Sequence, residues 1–167
     1  MGQMKIMQTK WLAAQMLVVC LLALVTAASA QPTIPTDRGG LLAGEGMGLA
    51  APAERNGFPG PKHVLELKDS LRLSRDQAKR TEELVEGVKV SAIAKGEQIV
   101  EAEEELEGYF AAGKVQEKEL RAKLQRIGKL RAELRFVHLQ AHLRMKQVLR
   151  QEQNAAYGVL RGVHGSH

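Results

Sequence analysis

Residues 74–112 read SRDQAKRTEELVEGVKVSAIAKGEQIVEAEEELEGYFAA, and this stretch decides the fold class. It contains no proline, and most of its residues favour helix. Ser74 stands where a helix N-cap belongs, and Gly113 follows as a C-terminal stop. One helix face is apolar except at Lys95, with positions at alternating spacings of three and four: Val85, Val88, Ala92, Lys95, Ile99, Ala102, Leu106 and Tyr109. We therefore predict one long helix that ends near Ala112.

A second stripe of the same period predicts another long helix, from about Val115 to Leu149. Its positions are Leu120, Leu124, Ile127, Arg131, Leu134, His138, Ala141, Met145 and Val148. Short helices are predicted over residues 62–71 and 150–160. Two long helices joined by a tight turn must lie antiparallel. The predicted fold class is therefore all-α, a long antiparallel helical hairpin with short flanking helices that together make a four-helix hairpin subunit.

Several apolar residues lie off these two stripes and need a cover from the short helices or from a second subunit: Val90, Ile93, Leu130, Leu139 and Leu143. A homodimer is the expectation that follows.

Charged residues agree with the hairpin, because a run of glutamates ends the first long helix and cations begin the second. We expect weak cross-helix pairs there rather than a cation site: Glu101, Glu103, Glu104, Glu105 and Glu107 against Arg121, Lys123 and Arg126.

The first 30 residues have the pattern of a secretory signal peptide. Lys5 and Lys10 precede an apolar core over residues 11–25, and Ala28-Ser29-Ala30 offers a cleavage site. Because residues 11–28 approach membrane-spanning length, an uncut inner-membrane anchor is the alternative, and only then would the protein contact the membrane. In both cases we expect the rest of the chain to lie in a bacterial periplasm and to have no nucleic-acid partner.

Composition narrows the chemistry of the exported part. Beyond Ala30 the chain has no cysteine and no tryptophan, which excludes a disulfide-stapled domain, a cysteine nucleophile and thiolate metal sites there. Residues 31–62 hold all five prolines and seven glycines, so we predict a flexible lead. The helical-hairpin domain is then expected over residues 63–163, followed by a disordered tail at residues 164–167. No catalytic constellation is present, and we expect neither enzymatic activity nor an organic cofactor.

The histidines offer the clearest candidate site. His138 and His142 lie four residues apart, so their rings project from one face of the predicted helix, a geometry that suits Zn²⁺, Ni²⁺, Co²⁺ or Cu²⁺. The alternative is that His138 is a packed, hydrogen-bonded histidine. Four further candidates come from the next turn, from the facing helix and from the first short helix: Met145, Glu82, Glu86 and His63.

Residues 73–77, LSRDQ, and residues 149–153, LRQEQ, form two copies of an L-x-x-x-Q element. With the signal peptide and residues 130–157, they resemble the periplasmic LTxxQ-motif family, which includes the Spy and CpxP stress chaperones, the zinc-resistance-associated protein and heavy-metal sensors. The likeness is greatest to the metal-sensor and metal-resistance branch and covers about residues 64–163. Ser74 and Arg150 replace the threonine of the motif.

The resemblance implies a four-helix hairpin subunit that dimerises in a cradle. Related sensors bind metal through a helix histidine with a histidine or methionine four residues later, which His138 and His142 match, and through a His-x-x-x-His pair in the first helix. The second pattern is incomplete, because Leu67 follows His63 at that spacing. The function we expect is that of a periplasmic metal-responsive sensor or resistance protein with a membrane-bound regulatory partner. The alternative is a metal-independent holdase for unfolded envelope proteins.

Overall fold

The computed structural model describes residues 37–162, and this part of the chain is all-helical. Its helices are α1 (Arg38–Ala43), α2 (Ala51–Arg55), α3 (Pro61–Glu66), α4 (Arg75–Ala111), α5 (Glu117–Val148) and α6 (Gln151–Leu160). Within residues 37–162, none of the helices has the length and apolarity to cross a membrane. The predicted signal peptide and the predicted C-terminal tail lie outside the described residues.

The two long helices, α4 and α5, pack against each other, which confirms the all-helical prediction. Near the start of α4 the Gln77 side chain donates to the Val148 carbonyl at 2.9 Å, and further along Lys95 pairs with Glu133 at 2.7 Å. Ser74 is the N-cap of α4, as predicted. The amide of Gln77 donates to its hydroxyl, and the Gln77 side chain accepts from the Ser74 amide, so both ends of this capping box are made.

Two apolar clusters form the core. The first lies along α4 and α5 and contains Ala92, Ile99 and Leu134 of the predicted stripes, together with Val100 of α4 and Leu41 of α1. The second lies where α3, α5 and α6 meet: Val64, Leu71, Met145, Leu149 and Tyr157. The off-stripe residues Ile93 and Leu130 are partly covered within this chain, whereas Val90 and Leu143 stay exposed.

The prediction of a flexible lead is wrong for residues 37–62. Residues 37–66, which we call the strap, form α1–α3 and pack on the long helices, with Leu41 only 1% exposed. The glycines that suggested flexibility permit this docking. Gly44 ends α1 in the left-handed conformation, and α4 approaches so closely that a Cβ on Gly96 would overlap the Leu41 carbonyl oxygen.

The predicted helix over residues 62–71 is also shorter in the structure, because α3 ends at Glu66 and a turn follows. Arg72 adopts a left-handed φ of 49° in this turn. The turn directs the Leu71 carbonyl to the side chain of Gln153, which donates to it at 3.0 Å. A continued helix would have used that carbonyl internally, so the glutamine contact replaces a helical hydrogen bond.

Ion pairs join the helices between the middle of α5 and the turn that connects α4 to α5. Arg131 of α5 contacts Asp37 of the strap at 2.7 Å and Glu103 of α4 at 2.9 Å. The expected cross-helix pairs form for Arg126 and Lys123, both of which meet Glu105. The expectation for Arg121 is wrong, because its guanidinium pairs within its own helix with Glu117.

We predict that Gly96→Ala lowers the free energy of unfolding by about 2 kcal/mol, because the new methyl group must displace the Leu41 backbone. Urea denaturation of the full chain measures this loss. Gly128→Ala is the matched control, since that helical glycine has open space around it, and it should raise stability by about 0.5–1 kcal/mol. Equal effects of the two substitutions would contradict the close packing of α1 on α4.

Candidate metal-binding cleft

The strap and the two long helices enclose a cleft of about 680 Å³. His63 of α3 and His138 and His142 of α5 all line it, so the structure brings these three predicted residues to one cavity. His138 and His142 share one face of α5, one turn apart, as the spacing predicts. The strap supplies the opposite wall, which includes its glycine-rich loop over residues 43–48.

The ring of His142 is fixed by the strap. Its Nδ1 lies 2.8 Å from the Phe58 carbonyl oxygen, and a carbonyl only accepts, so Nδ1 carries the proton. Nε2 of the neutral ring then keeps its lone pair. A Cβ placed on Gly60 would lie 3.4 Å from His142 Nε2 and 3.4 Å from His63 Nδ1. The two nitrogens therefore flank the same small space, which is open because residue 60 is a glycine.

His63 belongs to a polar network that the sequence did not reveal. Its Nδ1 lies 2.8 Å from Glu54 Oε1 but forms no hydrogen bond within residues 37–162, whereas Glu54 Oε1 accepts from the Tyr157 hydroxyl and from Arg161, each at 3.0 Å. Burial alone raises the pKa of Glu54, but the bonds and charges of Tyr157, His63 and Arg161 outweigh it and lower the pKa. Glu54 was missed because it lies in the segment predicted to be flexible.

His138, like His142, is buried and is only 7% exposed. Its Nε2 is buried and has no hydrogen-bond partner among residues 37–162. Burial lowers the pKa of His138, and the charge of His142 when protonated lowers it further. Both effects favour the neutral form of the ring, which is the form that binds metals.

Three predicted ligands lie elsewhere. Glu82 and Glu86 are exposed on α4, and the α4 residues that line the cleft are instead Val85, Val88 and Lys89. The register across the helix pair placed the two glutamates at the right height, but the rotation of α4 points them away. Met145 is fully buried in the second core cluster. Over residues 37–162, no three or more His, Cys, Asp or Glu side chains are grouped so as to hold a metal ion.

No family model, no curated protein and no solved structure matches the chain. The two L-x-x-x-Q elements therefore remain a resemblance in motif and order. The functional argument rests on the cleft and its side chains.

We predict that the free energy of unfolding falls as the pH falls below about 6.5, the ordinary pKa of histidine. Because the pKa of His138 is lower in the folded chain, the unfolded chain binds a proton there at a higher pH than the folded chain does. Denaturation at pH 8, 6.5 and 5 measures the change. His138→Gln should lose less stability than the wild type between pH 8 and pH 5. Parallel pH profiles for the two proteins would show that His138 does not contribute.

Proposed function

We propose that this protein is an extracytoplasmic sensor or resistance protein that binds a divalent transition metal ion in the cleft, and that it is not an enzyme. The observation that carries the proposal is the shared space beside Gly60, flanked by His142 Nε2 and His63 Nδ1. Imidazole nitrogens are common ligands for Zn²⁺, Ni²⁺, Co²⁺ and Cu²⁺. No organic cofactor is part of the proposal.

The surroundings of His142 fit a metal ligand. Metal-binding histidines usually donate the other ring N–H to a carbonyl or carboxylate, which fixes the ring and the tautomer. Here the Phe58 carbonyl has that role for His142. Phe58 is held in turn by the Lys146 ammonium, which lies 4.0 Å from the centre of its ring. The free lone pair of His142 is thus oriented before any ion arrives.

Further ligands are available next to these two nitrogens. Glu54 Oε1 lies beside His63 Nδ1, and His138 offers a second imidazole one turn from His142. We propose His142 and His63 as the two protein ligands, since their nitrogens face the same space; Glu54 and His138 lie next to them but do not complete a three-ligand group in the structure. An ion bound in this way joins the strap to α5. Metal binding would therefore hold the strap more firmly against α5, and this change is what a partner would detect.

The proposal includes the cellular context and the finer description of the fold. The signal-like N-terminal pattern favours export to a periplasm, where a membrane-bound regulatory protein is the partner expected of a sensor. The order of contacts from Gln77–Val148 to Arg126–Glu105 supports an antiparallel hairpin subunit. We further propose that two such subunits associate.

One observation favours a second candidate function, a metal-independent holdase for unfolded proteins. Phe136 and Leu143 are exposed on α5 beside the cations Arg135 and Arg144. Apolar side chains flanked by cations suit extended, unfolded segments. An aggregation assay with a client protein and a chelator distinguishes the two candidates. Suppression of client aggregation at stoichiometric ratios without metal favours the holdase, and its absence counts against the holdase.

Isothermal titration with Zn²⁺, Ni²⁺, Co²⁺ and Cu²⁺ tests the metal site. We expect His142→Ala and His63→Ala each to weaken binding by at least about tenfold, since each removes a ligand, and Glu54→Gln to weaken it less. Glu82→Gln is the matched control and should leave binding unchanged. In ¹⁵N NMR spectra, metal addition should shift the Nε2 resonance of His142 and leave its Nδ1 protonated.

Two results would overturn this assignment. One is the absence of metal binding by the wild-type protein. The other is binding that survives both His142→Ala and His63→Ala, which would place the ion outside the cleft.

A further inference from the structure

The two protein ligands proposed for the metal ion leave part of its coordination to other groups. His142 Nε2 and His63 Nδ1 face the same space beside Gly60, and over residues 37–162 no three candidate ligands are grouped so as to hold an ion. Tetrahedral Zn²⁺ and square-planar Ni²⁺ or Cu²⁺ all need more ligands than these two nitrogens. The remaining ligands must therefore come from water or from a second molecule that enters the cleft.

The size of the cleft favours a second molecule. The cleft measures about 680 Å³, whereas four water molecules around an ion occupy about 120 Å³, at about 30 Å³ each. Pockets of about 300–1,000 Å³ are those in which proteins hold small organic ligands. The cleft therefore has room for a metal ion together with a small organic molecule.

The apolar part of the lining favours carbon over water. α4 contributes Val85 and Val88, α5 contributes Ala141, and the strap contributes Ala50 and Ala51. An ordered water molecule needs about two to four polar partners, and these side chains offer none. The carbon skeleton of an organic molecule can instead pack against them and leave bulk water. These walls therefore suit an organic ligand of the ion better than a shell of water molecules.

Two lysines indicate the charge of that molecule. Lys62 of α3 and Lys89 of α4 line the cleft, and neither ammonium group pairs with a carboxylate among residues 37–162. Of the two glutamates in the lining, Glu54 already accepts from Arg161, which leaves Glu45 against the two lysines. Within the described residues the lining therefore has a surplus of positive charge, which attracts carboxylate groups.

His138 offers the same molecule a further polar group. Its Nδ1 faces the glycine-rich loop, 3.8 Å from where a Cβ on Gly46 would lie. Its Nε2 is buried and has no hydrogen-bond partner within residues 37–162. Because a neutral imidazole donates from one nitrogen and accepts at the other, His138 can bond either a carboxylate or a hydroxyl group in the cleft.

We propose that the cleft binds the metal ion as its complex with a small carboxylate chelator of the hydroxycarboxylate or α-amino acid type. His142 and His63 bind the ion, and the chelator supplies the remaining ligands. Lys62 and Lys89 pair with the carboxylate groups of the chelator. This inference rests on the proposed metal site, and it specifies the chemical form in which that site takes up its ion.

Equilibrium dialysis of the full chain with radiolabelled citrate and with radiolabelled L-histidine tests the proposal, each with and without Zn²⁺ or Ni²⁺. We expect the wild type to retain at least one of the two chelators when metal is present and neither when it is absent. His142→Ala should abolish this retention, because it removes a ligand of the ion. Lys89→Ala should weaken retention at least about tenfold, since a charge-assisted hydrogen bond is lost, and should leave the affinity for the metal alone unchanged.

Lys79→Ala is the matched control, because Lys79 is exposed on α4 outside the lining of the cleft, and it should retain the chelator as the wild type does. Metal binding without retention of either chelator would overturn this inference and leave the proposed function standing. Equal retention with and without metal would also overturn it, since the cleft would then be a plain anion site. Retention that survives the combined substitution of Lys62→Ala and Lys89→Ala would do the same. A protein that binds neither the metal nor its complexes would overturn both proposals.

Discussion

Two glutamine side chains hold the ends of the helices together. Gln77 of α4 donates to the Gln153 side chain at 2.8 Å, and Gln153 of α6 donates back at 3.2 Å. Gln77 also donates to the Val148 carbonyl, and Gln153 to the Leu71 carbonyl. Their amide oxygens accept from the backbone N–H groups of Ser74 and Arg150. This clasp joins both L-x-x-x-Q elements in one buried network in which both amides are bonded on both sides, a condition under which a buried network stabilises.

The candidate site depends on this clasp through α6. The clasp fixes the first turn of α6, and Tyr157 then enters the second core cluster. The Tyr157 hydroxyl accepts from the Gly60 amide at 3.3 Å and donates to Glu54. Burial raises the pKa of Tyr157 to about 12, so the hydroxyl stays protonated and can donate its hydrogen bond to Glu54. These two contacts of Tyr157 position the strap, so that His63 lies beside His142.

Periodicity predicted the two long helices because each carries one apolar stripe over about seven or eight turns, and such a pattern is typical of a helix with one buried face. The strap was not predictable in the same way. Its prolines begin α2 and α3, and Gly44 ends α1, but the same residue types are typical of flexible segments. The sequence therefore predicted His138 and His142 together but not Glu54, and it gave Glu82 and Glu86 the wrong rotation on α4. The glutamine motifs were visible in the sequence, whereas their contact depends on tertiary packing.

A double-mutant cycle on the clasp tests the central claim most directly. The free energy of unfolding would be measured for the wild type, Gln77→Ala, Gln153→Ala and the double variant. Because each single substitution leaves buried partners of the other glutamine unsatisfied, we predict that the double variant loses less than the sum of the singles, by about 1–3 kcal/mol. Additive losses would contradict the account, since they would mean that the two glutamines stabilise their helices independently.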